Sequence, residues 1–268
     1  LDVGATVIDG SELLAKDGYA VVNADQITAS SITALTSGTG SGNADVFAGL
    51  VSGSSLFAAN DLAVYADIAN SDLTGTDSVT VVGTYLENVD IAGNTLVSVS
   101  AYDAAGGSWV AYEGDLNVVV DYISEVSMSA GNGATAGTGD VDITSLSINN
   151  SSVFANDDLT VTSIEIIGSN LTAYGEVDNI TASYIDNTDV FANEGITATV
   201  DSELYAGDWT VYEGDITVQA GDIRSTRFTT DGNVTLTSDS DISNATVMAG
   251  GTGVAQLTAA SGNIAGTT

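Results

Sequence analysis

Apolar residues recur along the chain at a nearly constant interval. Each recurrence has the form apolar, any residue, small residue, and it is followed by a polar turn and another apolar residue. The intervals are almost equal, and the single long one runs from Met128 to Val153. A fixed period of this size predicts a repeat architecture with one coil per about 19 residues. The repeating apolar anchors are Leu56, Leu73, Ile91, Trp109, Met128, Val153, Leu171, Val190, Trp209, Phe228 and Val247.

Upstream of Leu56 the repeat is weaker, and Val3, Val21 and Val46 are the candidate anchors there. Two glycine-rich stretches, 36–45 and 131–140, interrupt the repeat, and the second lies in the long interval. Such stretches predict loops extruded from a regular coil. We therefore expect one domain over 1–268, with irregular coils at 1–53 and regular coils at 54–268.

Within each coil the pattern is typical of strands. In the coil at 208–226, Trp209 and Val211 alternate with polar neighbours, and Ile216 and Val218 do the same after a turn. Alternation with period two predicts half-buried strands, and no segment carries a sustained helical stripe. The sequence thus predicts an all-β protein with three short strands per coil. The segment 11–16 is the only candidate helical turn.

Three strands per coil, with one set of residues always inward, predict a single parallel β-solenoid in which coil stacks on coil. About thirteen coils at roughly 4.8 Å each give a rod on the order of 60 Å long. The chain contains no proline. That absence suits the prediction, because proline would remove a ladder hydrogen bond from an interior strand.

The phrases at 214–223 and 232–242, the coil length and the scarcity of Cys and Lys resemble the β-helices of secreted bacterial surface proteins. The similarity is to filamentous-haemagglutinin-like exoproteins and autotransporter passenger domains, at the level of the fold. This resemblance implies an extracellular or cell-surface protein with a structural or adhesive role. A chain that begins at Leu1 is also what removal of an export signal would leave.

Composition excludes several functions. The chain has 36 acidic and 3 basic residues, a net charge of −33, and neither Cys nor His. The charge repels nucleic acids and anionic substrates, and zinc fingers and Cys or His nucleophiles are excluded. No apolar run is long enough to span a bilayer, so membrane insertion is not expected. Carboxylates are so widespread that no catalytic pair stands out, and we expect no enzyme activity.

Acidic residues concentrate in the turn after the first strand of each coil. Carboxylates in equivalent turns of stacked coils lie close together and repel each other, and Ca²⁺ would cancel that repulsion. The alternative is a solvated row of ordinary turn residues. No cofactor is required, and the candidate calcium ligands are Glu113, Asp115, Asp157, Asp158, Glu194, Glu213 and Asp215.

Two further rows are expected on the outer surface. One is an interrupted ladder of hydroxyl pairs that is similar to the ladder of ice-binding solenoids: Thr28 with Ser30, Thr160 with Thr162, Thr197 with Thr199, and Thr235 with Thr237. The other is aromatic: Phe57, Phe154 and Phe191, with Tyr112, Tyr174 and Tyr212 two residues after such positions. Exposed aromatic rows are typical of interfaces.

We expect an extracellular structural subunit that self-associates end to end into a filament or surface fibre. The argument is that no amphipathic helix or Lys-rich edge follows Val247 to cap the last coil. The alternative is a monomeric adhesin, or an ice- or carbohydrate-binding module, whose faces rather than ends make the contacts. Glycans are possible partners in that case.

Overall fold

Each turn of the chain passes along three faces and returns directly above the preceding turn. The computed structural model describes residues 1–36, 42–131 and 138–268. Over these residues the protein is all-β, without a helix, and forms one parallel sheet wound into about 13 turns. The predicted class, a parallel β-solenoid with a repeat of about 19 residues, is confirmed. No helix in the described ranges could cross a membrane.

The strands are short where a corner interrupts them and longer where the chain bends through a corner without a break. In chain order they are β1 (Asp2–Asp9), β2 (Glu12–Ala15), β3 (Ala20–Thr28), β4 (Ser31–Ala34), β5 (Ala44–Ser52), β6 (Ser55–Ala58), β7 (Leu62–Gly75), β8 (Ser78–Val82), β9 (Tyr85–Gly93), β10 (Leu96–Ala105), β11 (Ser108–Ala111), β12 (Asp115–Ser124), β13 (Ser127–Ala130), β14 (Val141–Thr144), β15 (Ser147–Asn149), β16 (Ser152–Ala155), β17 (Leu159–Thr162), β18 (Glu165–Ile167), β19 (Asn170–Ala173), β20 (Glu176–Asp186), β21 (Asp189–Ala192), β22 (Gly195–Tyr205), β23 (Asp208–Val211), β24 (Asp215–Arg224), β25 (Arg227–Thr230), β26 (Val234–Ser238), β27 (Ile242–Ser243), β28 (Thr246–Ala249), β29 (Ala255–Ala259) and β30 (Ile264–Ala265).

The pairings define three faces. Face A stacks β2, β4, β6, the end of β7, the end of β9, β11, β13, β16, β19, β21, β23, β25 and β28. Face B begins with β1, β3, β5 and β7 and ends with β24, β26 and β29. Face C contains the later parts of the long strands, with β15, β18, β27 and β30. All pairings are parallel, so equivalent residues of successive turns form columns.

The core is a set of inward columns. The predicted anchors form one column of face A, in which Leu56 pairs with Leu73 and Trp209 with Phe228. All anchors except Val247 are buried, and Val247 packs against the core from the last turn. Side chains between the anchors point outward, as the alternation predicts. The predicted inward register is therefore confirmed.

The expected helical turn at 11–16 is wrong. The segment contains strand β2, because its backbone pairs with β4 and Leu13 packs on the core. Leu13 and Ile32 continue the column of face A to Leu56, so they are the upstream anchors.

The predicted upstream anchors are therefore wrong as well. Val3 and Val46 belong to an inward column of face B, and Val21 points outward. The central parts of the glycine-rich stretches, 37–41 and 132–137, lie outside the described residues.

The corner from face C to face A has one backbone conformation throughout. The first residue of this corner has a left-handed backbone conformation in every turn, with φ between +46° and +69°. Gly and Asn tolerate this region best. The corner column is Gly10, Ala29, Gly53, Asn70, Asn88, Gly106, Glu125, Asn150, Gly168, Asn187, Ala206, Ser225, Asn244 and Gly266.

A buried hydroxyl often follows that left-handed residue. The N–H of Ser30 donates to Ser54 Oγ at 3.2 Å, and the N–H of Ser54 donates to Ser71 Oγ at 3.2 Å. Each hydroxyl also donates to the carbonyl two residues earlier, as Ser54 Oγ does to Ser52 at 2.9 Å. Ser151, Ser169 and Thr188 form a second such run. These columns satisfy backbone groups that the sharp corner removes from the sheet ladder.

We expect Ser54→Ala to lower the free energy of unfolding by about 1–3 kcal/mol, because it leaves the buried N–H of Ser30 without an acceptor. The same column contains a valine, Val89, so an apolar side chain fits in this corner and steric strain would not explain a loss of stability in Ser54→Ala. Urea unfolding followed by circular dichroism measures the change.

The matched control is Ser100→Ala. Ser100 lies exposed on face B, and its hydroxyl makes no hydrogen bond to another described residue. Its loss should change the free energy of unfolding by less than about 0.5 kcal/mol. Equal effects of the two substitutions would contradict a stabilising role for the buried column.

Candidate functional site

Carboxylates stack along the corner that leads from face A to face B. Asp115 Oδ1 accepts the N–H of Asp140 at 3.2 Å, and Asp140 Oδ1 accepts the N–H of Asp158 at 3.2 Å. Asp158 Oδ1 in turn accepts the N–H of Glu176 at 2.8 Å. Each carboxylate therefore binds the backbone of the next turn, which gives these acids a structural role.

Three of these side chains form a compact acidic cluster, which consists of Asp140, Asp157 and Asp158. One carboxylate oxygen from each lies within 4.8 Å of the others, and all three side chains are half-buried. Among the described residues this is the one group of carboxylates with such spacing. Three oxygen ligands at this separation can bind a hard divalent cation such as Ca²⁺, with water completing the coordination.

The electrostatics of the acidic cluster oppose ionisation. Burial raises the pKa of Asp157, and repulsion by Asp158, Asp140, Glu194 and Asp115 raises it further. The pKa of Asp140 is also raised, chiefly by burial, although the hydrogen bond from the Asp158 backbone partly lowers it. The cluster is therefore a place where a proton or a cation would relieve stored repulsion.

The structure brings only some of the predicted calcium ligands together. Asp157 and Asp158 lie in the acidic cluster, and Asp115 and Glu194 act on Asp157 through charge repulsion. Glu113 lies apart and accepts a hydrogen bond from Asn94 Nδ2 at 3.1 Å.

The remaining predicted ligands lie further along the same corner, outside the acidic cluster. Asp215 accepts hydrogen bonds from the backbone and side chain of Asn233, at 2.7 Å to the backbone nitrogen. Glu213 is exposed. Whether any of the seven binds calcium stays a prediction.

Sequence reasoning missed Asp140, because the residue ends a glycine-rich stretch that was assigned to a loop. The spacing of the acidic residues along the chain could have identified Asp140. Asp140, Asp158 and Glu176 follow one another at intervals of one turn of the solenoid. The return of the chain at Gly139, whose carbonyl accepts the N–H of Asn156 at 3.1 Å, restores the register in time to place Asp140 in the corner.

The outward hydroxyls of face B form a wider array than predicted. Thr28 and Ser30 do not belong to it, because Thr28 lies on face C and Ser30 is buried in a corner. In the last six strands of face B the two outward columns contain only Thr, Asn and Gln. They comprise Thr160, Thr162, Asn179, Thr181, Thr197, Thr199, Thr217, Gln219, Thr235, Thr237, Gln256 and Thr258. This threonine array carries no charge in a chain of net charge −33.

The predicted outward orientation of the aromatic row on face A is confirmed. Phe57, Phe154 and Phe191 occupy outward positions and are half-buried, and Tyr112, Tyr174 and Tyr212 are exposed. The Phe154 and Tyr174 rings meet edge to face, with centroids 5.0 Å apart.

Other faces carry aromatic groups that the sequence reasoning did not identify. Tyr85, Tyr102 and Tyr122 follow one another on face C, and Phe47 stacks on Tyr65 on face B.

Comparison of the chain with protein-family models, curated proteins and solved structures finds no match. The assignment of the β-solenoid fold therefore rests on the structure alone. The resemblance to secreted bacterial surface proteins stays a prediction.

We expect Asp157→Asn to raise the free energy of unfolding at neutral pH, because it removes a half-buried charge from among like charges. Since the pKa of Asp157 is raised in the folded protein, the wild type loses stability as pH rises through that folded-state value. The asparagine variant is neutral at every pH. Its advantage should therefore be largest above the raised pKa and disappear below the usual pKa of an aspartate, which thermal unfolding over a pH series measures.

The control is Asp201→Asn, which makes the same change in net charge at an exposed position. If the two substitutions changed the melting temperature equally at every pH, net charge rather than the acidic cluster would explain the effect.

Proposed function

We propose that this protein is an extracellular structural subunit that self-associates end to end into a filament or surface fibre. The observation that carries the proposal is the last turn, at 244–268. It combines half-exposed aliphatic side chains with a complete lack of charged side chains.

The edges at the two ends are complementary. Within the described ranges β29 and β30 pair on one side only, as do β1 and β2 at the other end. The outer edge of β28 has one partner, Thr268, whose carbonyl accepts the N–H of Val247 at 2.8 Å. Unpaired edges are templates for pairing with another chain. Because every pairing in the solenoid is parallel, a second copy stacked head to tail continues the same ladder on each face.

The core also continues across such a junction. One inward column of face B runs from Val3 to Leu257 through aliphatic residues in every turn. Val3 and Leu257 are both only partly covered by their own chain. Head-to-tail stacking brings Leu257 of one copy against Val3 of the next and buries both, which is favourable at about 25 cal/mol per Å² of apolar surface.

Charge is the main obstacle to assembly of so acidic a protein, and the last turn avoids it. No Asp, Glu, Lys or Arg occurs in 244–268, although the chain contains 36 acidic residues. Repulsion across a junction needs charge on both sides. Contact between this turn and the acidic first turn of another copy is therefore opposed only by more distant charges.

We expect Val3→Glu and Leu257→Glu each to abolish filaments, because each places a carboxylate on one end of the apolar column. A mixture of the two variants retains one intact end of each kind. It should stop at dimers, whereas the wild type forms long fibres. Negative-stain electron microscopy and analytical ultracentrifugation measure the outcome.

The control is Thr199→Glu, which adds the same charge to the outer surface of face B but lies several turns from either end. It should leave fibres intact. A wild-type chain that stays monomeric over a wide concentration range, or end-blocked variants that polymerise normally, would overturn the proposal.

Calcium at the acidic cluster would support the same function by cancelling repulsion between turns. We expect Ca²⁺ to raise the melting temperature of the wild type and much less that of Asp157→Asn, and chelation to lower the midpoint and shorten the fibres. Rescue by NaCl of equal ionic strength would show that screening alone is responsible.

The alternative function, binding through a lateral face, is favoured by the threonine array. Apart from Thr181 Oγ1, which accepts from Asn179 at 3.0 Å, its threonine hydroxyls make no hydrogen bond to another described residue. Such an array suits a flat, uncharged surface such as ice. The end-blocking variants separate the two functions, since they leave this face unchanged.

A further inference from the structure

We propose that an open cleft at the N-terminal end of face B binds a neutral hexopyranose ring of a polysaccharide. The cleft has a volume of about 530 Å³ and is lined by Gly4, Asn23, Asp25, Phe47 and Tyr65, with small alanines between them. This volume is within the range of small-molecule sites. The assignment does not depend on end-to-end assembly, because every residue that lines the cleft belongs to one chain.

Phe47 forms the wall of the cleft. Its ring lies parallel to that of Tyr65, with centroids 4.9 Å apart and an angle of 5° between the planes. Phe47 is nevertheless 40% exposed. Tyr65 covers one face of the ring, so the exposed surface includes the other face, which points along the column toward the first turns.

The column next to Phe47 leaves room for another ring. Phe47 pairs in register with Asn23, and Asn23 pairs with Gly4 in the turn before. A Cβ atom added at Gly4 would meet nothing within 4 Å. The aromatic stack thus ends at Phe47, Asn23 is the next residue of the column, and the space beyond it at Gly4 is open, so a ligand ring could enter between the first turns and lie beside Phe47.

Polar groups lie at the edge of this space. Asn23 and Asp25 are exposed, and within the described ranges neither side chain hydrogen bonds to another residue. The amide both donates and accepts, and the carboxylate accepts two hydroxyl groups. One apolar platform with a few polar groups beside it matches a pyranose, which has an apolar C–H face and an equatorial rim of hydroxyls.

Other ligand classes fit less well. Asp25 and the net charge of −33 disfavour anions. Cationic ammonium groups are recognised by aromatic cages, whereas these two rings are parallel and present a single face. A protein partner would need larger apolar anchors than the alanines and glycine of the cleft floor.

The test is saturation-transfer NMR of the full chain with soluble neutral hexasaccharides of glucose, mannose and galactose. We expect at least one to bind, with the strongest transfer to ring C–H protons. Phe47→Ala and Phe47→Leu should each weaken binding at least tenfold, because both remove the flat platform. Asp25→Asn should weaken it severalfold.

The matched control is Phe154→Ala, which removes an outward phenylalanine whose ring pair is edge to face and lies on face A. It should leave binding unchanged. The proposal fails if no hexasaccharide binds, if Phe47→Ala binds as the wild type does, or if millimolar choline displaces the sugar and so identifies a cation site.

Discussion

Parallel hydrogen bonding between successive turns is the constraint on which the rest of this structure depends. Each strand takes its partners from the turn below and the turn above, so equivalent residues must recur in register. An inward column such as Val3 to Leu257 is the direct result. Where a sharp corner breaks the ladder, other groups replace the lost partners, and the buried hydroxyls of Ser54 and its neighbours do this at the corner from face C to face A.

The same constraint determines what the acidic residues do. A solenoid stacks equivalent positions of successive turns on each other, so carboxylates at equivalent positions are brought close together even though they repel each other. Asp115, Asp140 and Asp158 offset part of that cost by accepting backbone N–H groups of the next turn. Asp157 has no such bond to another described residue, and its raised pKa reflects burial and repulsion. At the corner from face A to face B, some carboxylates therefore stabilise the backbone through hydrogen bonds, whereas the neighbouring Asp157 contributes mainly repulsion.

Two of the proposed functions rest on surfaces that carry no charged side chain. The last turn and the threonine array are both uncharged, and they point in different directions, along the solenoid and sideways. The first suits self-association and the second a flat neutral surface, while the cleft beside Phe47 suits a single ring. A subunit built this way could form a fibre through its ends and still expose its faces to ligands.

The sequence by itself determined the class of fold, the coil length and the inward column of face A from Leu56 onward, because a constant period combined with strand alternation is compatible with few other architectures. It located Asp157 and Asp158 by turn chemistry but not Asp140, whose place depends on where a glycine-rich stretch rejoins the stack. It assigned a helical turn to 11–16, where pairing with β4 imposes a strand. Only the tertiary structure decided the place of Asp140, the strand at 11–16 and the pairing of Phe47 with Asn23. Contacts between turns depend on the register of the strands, and the local sequence pattern does not encode that register across an insertion.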